Sequence, residues 1–313
     1  MSTLPFSALV LLCVSLLLGT RFALGWMVPV AAARQAEVEA REPGGAMEVP
    51  PKPGGLAPPP GVGTGSGDAA LTPATCDRMP ADLRGTCWQA LARQTAGADP
   101  EEALRVCERL PEGALREECH ADVAETIAPR ARARAAAVCA SIPTTKWRGQ
   151  CHFGMGLALA ETDPEGAITF CDSAEAFRTF CRHDVVGEIA MVNLPAAQTI
   201  CAREEGNTLT RKTCWHGIGK YLARRDMAEA AGACLVSPAS WQARCCHGVG
   251  WGAAERNVDD ALEGCATFGE YADNCRHGVA NQLKRSDPAR EQAICESLTQ
   301  PDARAKCLAF VTQ

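Results

Sequence analysis

The chain has 313 residues, with 31 Lys plus Arg against 37 Asp plus Glu, a formal net charge of −6 and 18 cysteines. A mildly acidic balance of mixed sign leaves no electrostatic footprint for a nucleic-acid backbone. So many cysteines would be a liability in a reducing cytosol, whereas an oxidising compartment turns them into cross-links.

Residues 4–20, LPFSALVLLCVSLLLGT, form an uncharged apolar run, and Ala23 and Gly25 offer small residues at the spacing of a signal-peptidase site. Residues 1–25 are therefore read as a signal peptide. No Lys or Arg precedes the run and Arg21 follows it, so an N-terminal membrane anchor is the alternative. Cys13 lies inside the run and is left out of the disulfide count. Residues 26–75 are rich in Pro and Gly, with apolar residues too scattered for a core, and read as a disordered linker. Either way the remainder is placed outside the cytosol: periplasmic, secreted or held at the membrane.

From residue 76 onward, sixteen cysteines fall into eight pairs: 76/87, 107/119, 139/151, 171/181, 201/214, 234/245, 265/275 and 295/307. The spacing within a pair varies from 10 to 13, while the spacing from one pair to the next is always 20. A period of about 31 residues marks a solenoid, in which each unit buries its apolar face against its neighbours. Four residues after the second cysteine stand Leu91, Val123, Met155, Val185, Ile218, Val249 and Val279, and four further on Ile127, Leu159, Ile189, Leu222 and Leu283. Steps of four put these residues and the cysteine on one helical stripe, which defines a long helix B. Eight residues before the first cysteine of the next pair come Asp99, Asp163, Asn193, Asp226, Asn257 and Asp287, with Ala131 as the exception. Pro100, Pro164 and Pro288 follow three of them, so a short helix A starts there behind an N-cap. Ala103, Ala135, Ala167, Ala197, Ala230 and Ala261 in helix A allow close approach to a neighbour.

Residues 76–313 are thus expected to form an all-α, right-handed α-solenoid of about eight helix-turn-helix repeats. This architecture resembles the tetratricopeptide-like superfamily, and within it the secreted, cysteine-rich branch whose hairpins are stapled by disulfides. The resemblance implies protein or peptide binding on a curved surface, without catalysis.

Counting decides how the cysteines pair. Bonds within each pair close all eight, whereas bonds across the spacing of 20 strand Cys76 and Cys307. The expected bonds are Cys76–Cys87, Cys107–Cys119, Cys139–Cys151, Cys171–Cys181, Cys201–Cys214, Cys234–Cys245, Cys265–Cys275 and Cys295–Cys307. Cys246 is left over as a possible free thiol beside His247.

All six histidines follow a helix-B cysteine by one or two residues: His120, His152, His183, His216, His247 and His277. Three lie in Cys-x-His-Gly, at 214–217, 245–248 and 275–278, while His183 has Asp184 in the Gly position. The structural reading is that they fill the seam between adjacent B helices, beside small residues that let those helices approach. The functional alternative is a row of imidazoles, His183, His216, His247 and His277, that binds Zn(II), Cu(II) or a haem edge. Arg84, Arg116, Arg148, Arg178, Arg211 and Arg304 recur three residues before the cysteine, where salt bridges between repeats would explain them.

No catalytic triad, zinc-protease helix, phosphate loop or dinucleotide fingerprint is present. The sequence therefore points to a non-enzymatic exported scaffold for a protein or peptide partner, with no cofactor required. A Zn- or Cu-binding protein and a thiol-redox protein using Cys246 are the alternatives.

Overall fold

The constant spacing of 20 has its origin in one turn, copied seven times. At its centre is the N-cap residue, whose backbone N–H closes the end of helix B and whose carbonyl opens helix A. Asp163 donates to the Leu159 carbonyl and accepts from Ala167; Asp226 does the same between Leu222 and Ala230, and Asp287 between Leu283 and Glu291. Asp99, Ala131, Asn193 and Asn257 repeat the geometry. The Asp and Asn side chains add a second bond to the first turn of helix A, as from Glu102 N–H to Asp99 and from Gly166 N–H to Asp163. Such caps contribute about 1 kcal/mol each. Ala131 caps without a side-chain bond.

The computed structural model describes residues 71–203 and 208–311, which contain helices and turns and no strand. Residues 1–25, read as a signal peptide or anchor, and most of the 26–75 linker lie outside the described residues. Among the described residues no helix is long and apolar enough to cross a membrane. The helices form eight hairpins in chain order: α1 (Pro73–Asp77) with α2 (Ala81–Ala96), α3 (Pro100–Cys107) with α4 (Ala114–Ile127), α5 (Arg132–Ser141) with α6 (Thr145–Leu159), and α7 (Pro164–Asp172) with α8 (Arg178–Val192). There follow α9 (Leu194–Arg203) with α10 (Thr208–Arg225), α11 (Met227–Leu235) with α12 (Ala239–Ala254), α13 (Val258–Cys265) with α14 (Ala272–Leu283), and α15 (Pro288–Ser297) with α16 (Pro301–Val311). Odd-numbered helices are the A helices and even-numbered ones the B helices.

One disulfide staples each hairpin, joining cysteines whose Cα atoms lie 5.3–5.7 Å apart. Eight bonds of this kind form in an oxidising environment. The two pairs separated by only 10 residues, Cys171–Cys181 and Cys265–Cys275, are those whose connection coils into a 3₁₀ turn, at Glu175–Phe177 and Ala266–Tyr271. Loop length can vary there because the bond holds the helices in place.

Each B helix packs on the B helix of the next repeat, and the A helices pack on B helices with no more than marginal contact among themselves. The stripe of Val123, Met155, Val185, Ile218, Val249 and Val279 is fully buried between these layers. Burying each such side chain contributes about 1.5–3 kcal/mol. The alanines of helix A, from Ala103 to Ala261, are buried beside it. In the last repeat Glu291 takes the alanine's place, and it is buried with Oε1 unpartnered.

Candidate functional site

Glycine draws α8, α10, α12 and α14 into backbone contact. A Cβ built on Gly217 would run into the His183 carbonyl, one on Gly248 into that of His216, and one on Gly278 into that of His247. From the other side, Gly219 and Gly250 lie against the carbonyls of Cys245 and Cys275. Only residues without a side chain permit helices to meet this way.

The close approach brings histidines of successive repeats within hydrogen-bond reach. His183 Nε2 lies 2.8 Å from His216 Nδ1, and His216 Nε2 lies 3.0 Å from His247 Nδ1. At one end, His183 Nδ1 is 2.6 Å from the Asp184 carboxylate; at the other, His247 Nε2 is 3.1 Å from the Asn281 amide nitrogen. His277 stands at the edge of the row, its ring centroid 4.8 Å from that of His247 in a T-shaped contact.

The row is enclosed. His216 and His247 are 6% and 5% exposed. Trp251 meets His216 edge-on at 5.7 Å and lies 6.2 Å from His247, while Tyr221 meets His183 edge-on at 6.2 Å. Lys220 and Arg224 lie over the rings of Trp251 and Tyr221, and Glu255 pairs with both cations. Burial, with the positive charge of neighbouring Arg244 and Lys220, holds His216 well below the ordinary imidazole range. His247 is lowered for the same reason, with His277 and Arg244 as the neighbours, and burial lowers His277 to about 4. Burial alone would raise the Asp184 carboxyl, but its hydrogen bond to His183 and the charge of Lys220 hold it below the usual range.

His120 and His152 stand outside the row because they follow their cysteines by one residue instead of two, a rotation of about 100° around the helix. His120 Nε2 lies 3.2 Å from Glu108, and His152 stacks on Phe170 at 6.1 Å. Burial lowers both. Within the row the imidazoles are laid end to end, each nitrogen facing another instead of converging on a point. Among the described residues no group of three or more His, Cys, Asp or Glu is gathered as a metal ion would require.

Cys246, the one free cysteine among the described residues, is buried, and burial pushes its thiol up to about 12. A thiol so placed stays protonated near neutrality.

The recurring arginine has a different role from the salt bridges expected. Arg116, Arg148, Arg178 and Arg304 each reach back six residues to a carbonyl at the end of helix A, as in Arg116 Nη2 to Leu110 O at 2.6 Å and Arg304 Nη2 to Leu298 O at 2.6 Å. The guanidinium satisfies a carbonyl that no helix can serve. Arg148 adds an ion pair to Glu175 of the next repeat at 2.8 Å.

On the opposite side, four of the gaps between A helices are crossed by ion pairs. Arg134 pairs with Glu101, Arg132 with Asp163, Arg203 with Glu165, and Arg290 with Asp259. Among the described residues no ion pair joins α11 to α13. That gap is instead a groove of about 700 Å³ lined by Met227, Ala228, Ala231, Gly264 and Phe268, with Asp260 and Glu263 at its edge.

These features define a disulfide-stapled helical solenoid with a buried histidine seam on its B layer and an open groove on its A layer. No protein-family model matches the chain, and no curated protein or solved structure matches it.

Proposed function

We propose that the array is a non-enzymatic scaffold outside the cytosol that binds a protein or peptide partner on its A-helix face. The observation that carries this reading is the groove between α11 and α13, whose floor is small and apolar and which no ion pair crosses among the described residues. Its volume suits a short segment that carries an apolar side chain, and at its edge the carboxylates of Asp260 and Glu263 outnumber the single cation Arg256 and favour a basic residue beside them. The occupant is therefore a segment with an apolar anchor and a flanking Lys or Arg. The resemblance to tetratricopeptide-like arrays agrees with this mode of binding. Residues 1–25 would direct export or anchor the chain, and the Pro/Gly-rich stretch would tether the array. Burial of the histidines in helix seams favours a scaffold over a ligand site on the B layer.

Selection of displayed peptides on the oxidised protein tests the reading. Apolar-basic sequences should be enriched, and Ala231→Trp, which fills the groove floor, should weaken them at least tenfold without changing the circular dichroism. Enriched peptides indifferent to Ala231→Trp, or no enrichment at all, would refute it.

A further inference from the structure

The two ends of the histidine row fix the direction of every hydrogen bond in it. A carboxylate only accepts, so His183 Nδ1 carries the proton facing Asp184, and His183 Nε2 is then an acceptor. His216 must donate to it from Nδ1, which leaves His216 Nε2 to accept from His247 Nδ1. The last acceptor, His247 Nε2, faces the Asn281 amide nitrogen, which donates. Three neutral rings therefore share one tautomer, protonated at Nδ1, and the chain is satisfied from end to end.

The far end is not fixed in the same way. Asn281 is only part-buried, and in this pose its Oδ1 is enclosed with no partner. Turning the amide over would offer that oxygen to His247 Nε2, which then needs a proton of its own. Four hydrogen bonds supplied by three rings require four ring protons, one more than the neutral row holds.

We propose that Asp184, His183, His216, His247 and Asn281 form a proton relay with two polarities, in which a proton bound at the Asn281 end appears as charge beside Asp184. The steps balance. An acid from the solvent gives one proton to His247 Nε2 as the Asn281 amide turns. The Nδ1 proton of His247 moves to His216 Nε2, and the Nδ1 proton of His216 moves to His183 Nε2. His216 and His247 end neutral with the proton on Nε2, and His183 becomes an imidazolium that keeps its Nδ1–H on Asp184. No heavy atom moves beyond the turn of one amide.

The groups facing the row place the charge. On α8, Asp184 attracts it to His183. On α10 and α12, Lys220 and Arg224 are both paired with Glu255, while Arg244 lies near His216, His247 and His277 and repels charge from them. On α14, His277 adds to that repulsion at His247, and Lys306 of α16 acts on His277. On α6, His152 stacks on Phe170 and not on the row. Burial and Arg244 thus disfavour charge on His216 and His247, and the one carboxylate bonded to the row lies at His183.

The test is ¹⁵N NMR of the intact, oxidised protein labelled at histidine. At pH 7.5, His183, His216 and His247 should all be protonated at Nδ1, with N–N couplings across the two ring-to-ring bonds. On acidification, His216 and His247 should exchange to Nε2–H at one common midpoint as His183 turns to imidazolium. Nε2–H rings at neutral pH, or three rings titrating separately to imidazolium, would overturn the relay. Asn281→Asp places an acceptor at both ends, so the exchanged tautomers should already be present about one pH unit higher, a tenfold gain in proton affinity. Added negative charge alone would raise the midpoint without exchanging the tautomers of His216 and His247, and that outcome too would overturn it. The wild-type spectrum decides the matter if the variant does not fold.

Discussion

Replacing Gly248 by Ala tests the physical basis of the seam. In an open helix this change is favourable by about 0.8–1 kcal/mol, because Ala restricts the unfolded chain. At Gly248 the added Cβ would collide with the His216 carbonyl oxygen and lie 3.1 Å from both the His216 carbonyl carbon and the Lys220 nitrogen. These are backbone atoms, so relief comes only from moving α12 away from α10. Overpacking of this kind costs about 1–3 kcal/mol. The same displacement stretches the 3.0 Å bond between His216 and His247, and stranding those buried nitrogens costs about 1–3 kcal/mol more. With the helix preference subtracted, the expected loss is about 3 kcal/mol, or roughly 6–12 °C in melting temperature for an array of this size. Gly232 is the control, since it is exposed on α11 and a Cβ there meets nothing within 4 Å. Gly232→Ala should raise the melting temperature by about 1–4 °C. Heat scans of the oxidised proteins at pH 7.5 read both changes, and hydrogen exchange in α10 and α12 localises the first, since repeat arrays can open in parts. A Gly248→Ala protein that melts at or above the wild type would refute the argument.

Lowering the pH should destabilise the array. His216, His247 and His277 have folded-state pKa values below the unfolded 6.5 because of burial, so their contribution is complete above pH 6.5 and drains as pH falls below it, that of His277 down to about 4. Asp122, pushed up to about 6 by burial, acts in the opposite sense but is outnumbered. The melting temperature is expected to be lower at pH 5 than at pH 7.5, and an equal or higher value would contradict the assignment of neutral buried rings. Cys246 should resist alkylation in the native protein and react fully in guanidinium, as read by peptide mass spectrometry; rapid native labelling would show a thiol more exposed or more acidic than its burial implies. Replacing Cys234 and Cys245 together by Ser should cost about 3 kcal/mol, observed as a lower urea midpoint, because the hairpin of α11 and α12 loses its loop closure.

The parts of this molecule legible in its sequence are those fixed by local rules. The caps at Asp99, Asp163, Asn193, Asp226, Asn257 and Asp287 announce the A helices, and the cysteine count leads to one staple per hairpin. The small residues beside the histidines place them in the seam between B helices. What the sequence hides depends on distances between repeats. Asp184 and Asn281 become ends of a row only once α8 and α14 flank α10 and α12, and the neighbouring repeats of the row carry other residues at both positions. The groove between α11 and α13 is equally invisible, since it depends on which side chains of two different repeats face each other. The arginines were legible in part: Arg148 makes the salt bridge between repeats that a charged residue suggests and Arg116 pairs with Glu108, but most of them also bond a backbone carbonyl in their own repeat.

The histidines and glycines of Cys-x-His-Gly are one device. Gly217, Gly248 and Gly278 each lie against the carbonyl of the histidine one repeat earlier, so the glycine sets the helix spacing that the preceding histidine uses. Across the seams of Gly217 and Gly248, nitrogens two residues after the cysteine meet at 2.8 and 3.0 Å, whereas across that of Gly278 the rings of His247 and His277 meet edge to face. Two repeats earlier in the chain the corresponding residue is Asp122, and one repeat later Gly154 lies against the side chain of Glu125 instead of a backbone carbonyl. There the contact is with a side chain and not a backbone carbonyl, and the histidine has shifted to the position that points elsewhere. At His183 the glycine is replaced by Asp184, which cannot approach α6 as closely but supplies an acceptor for the ring. The row thus begins where the glycine is lost, because the carboxylate that takes its place accepts the ring proton and terminates the hydrogen bonds.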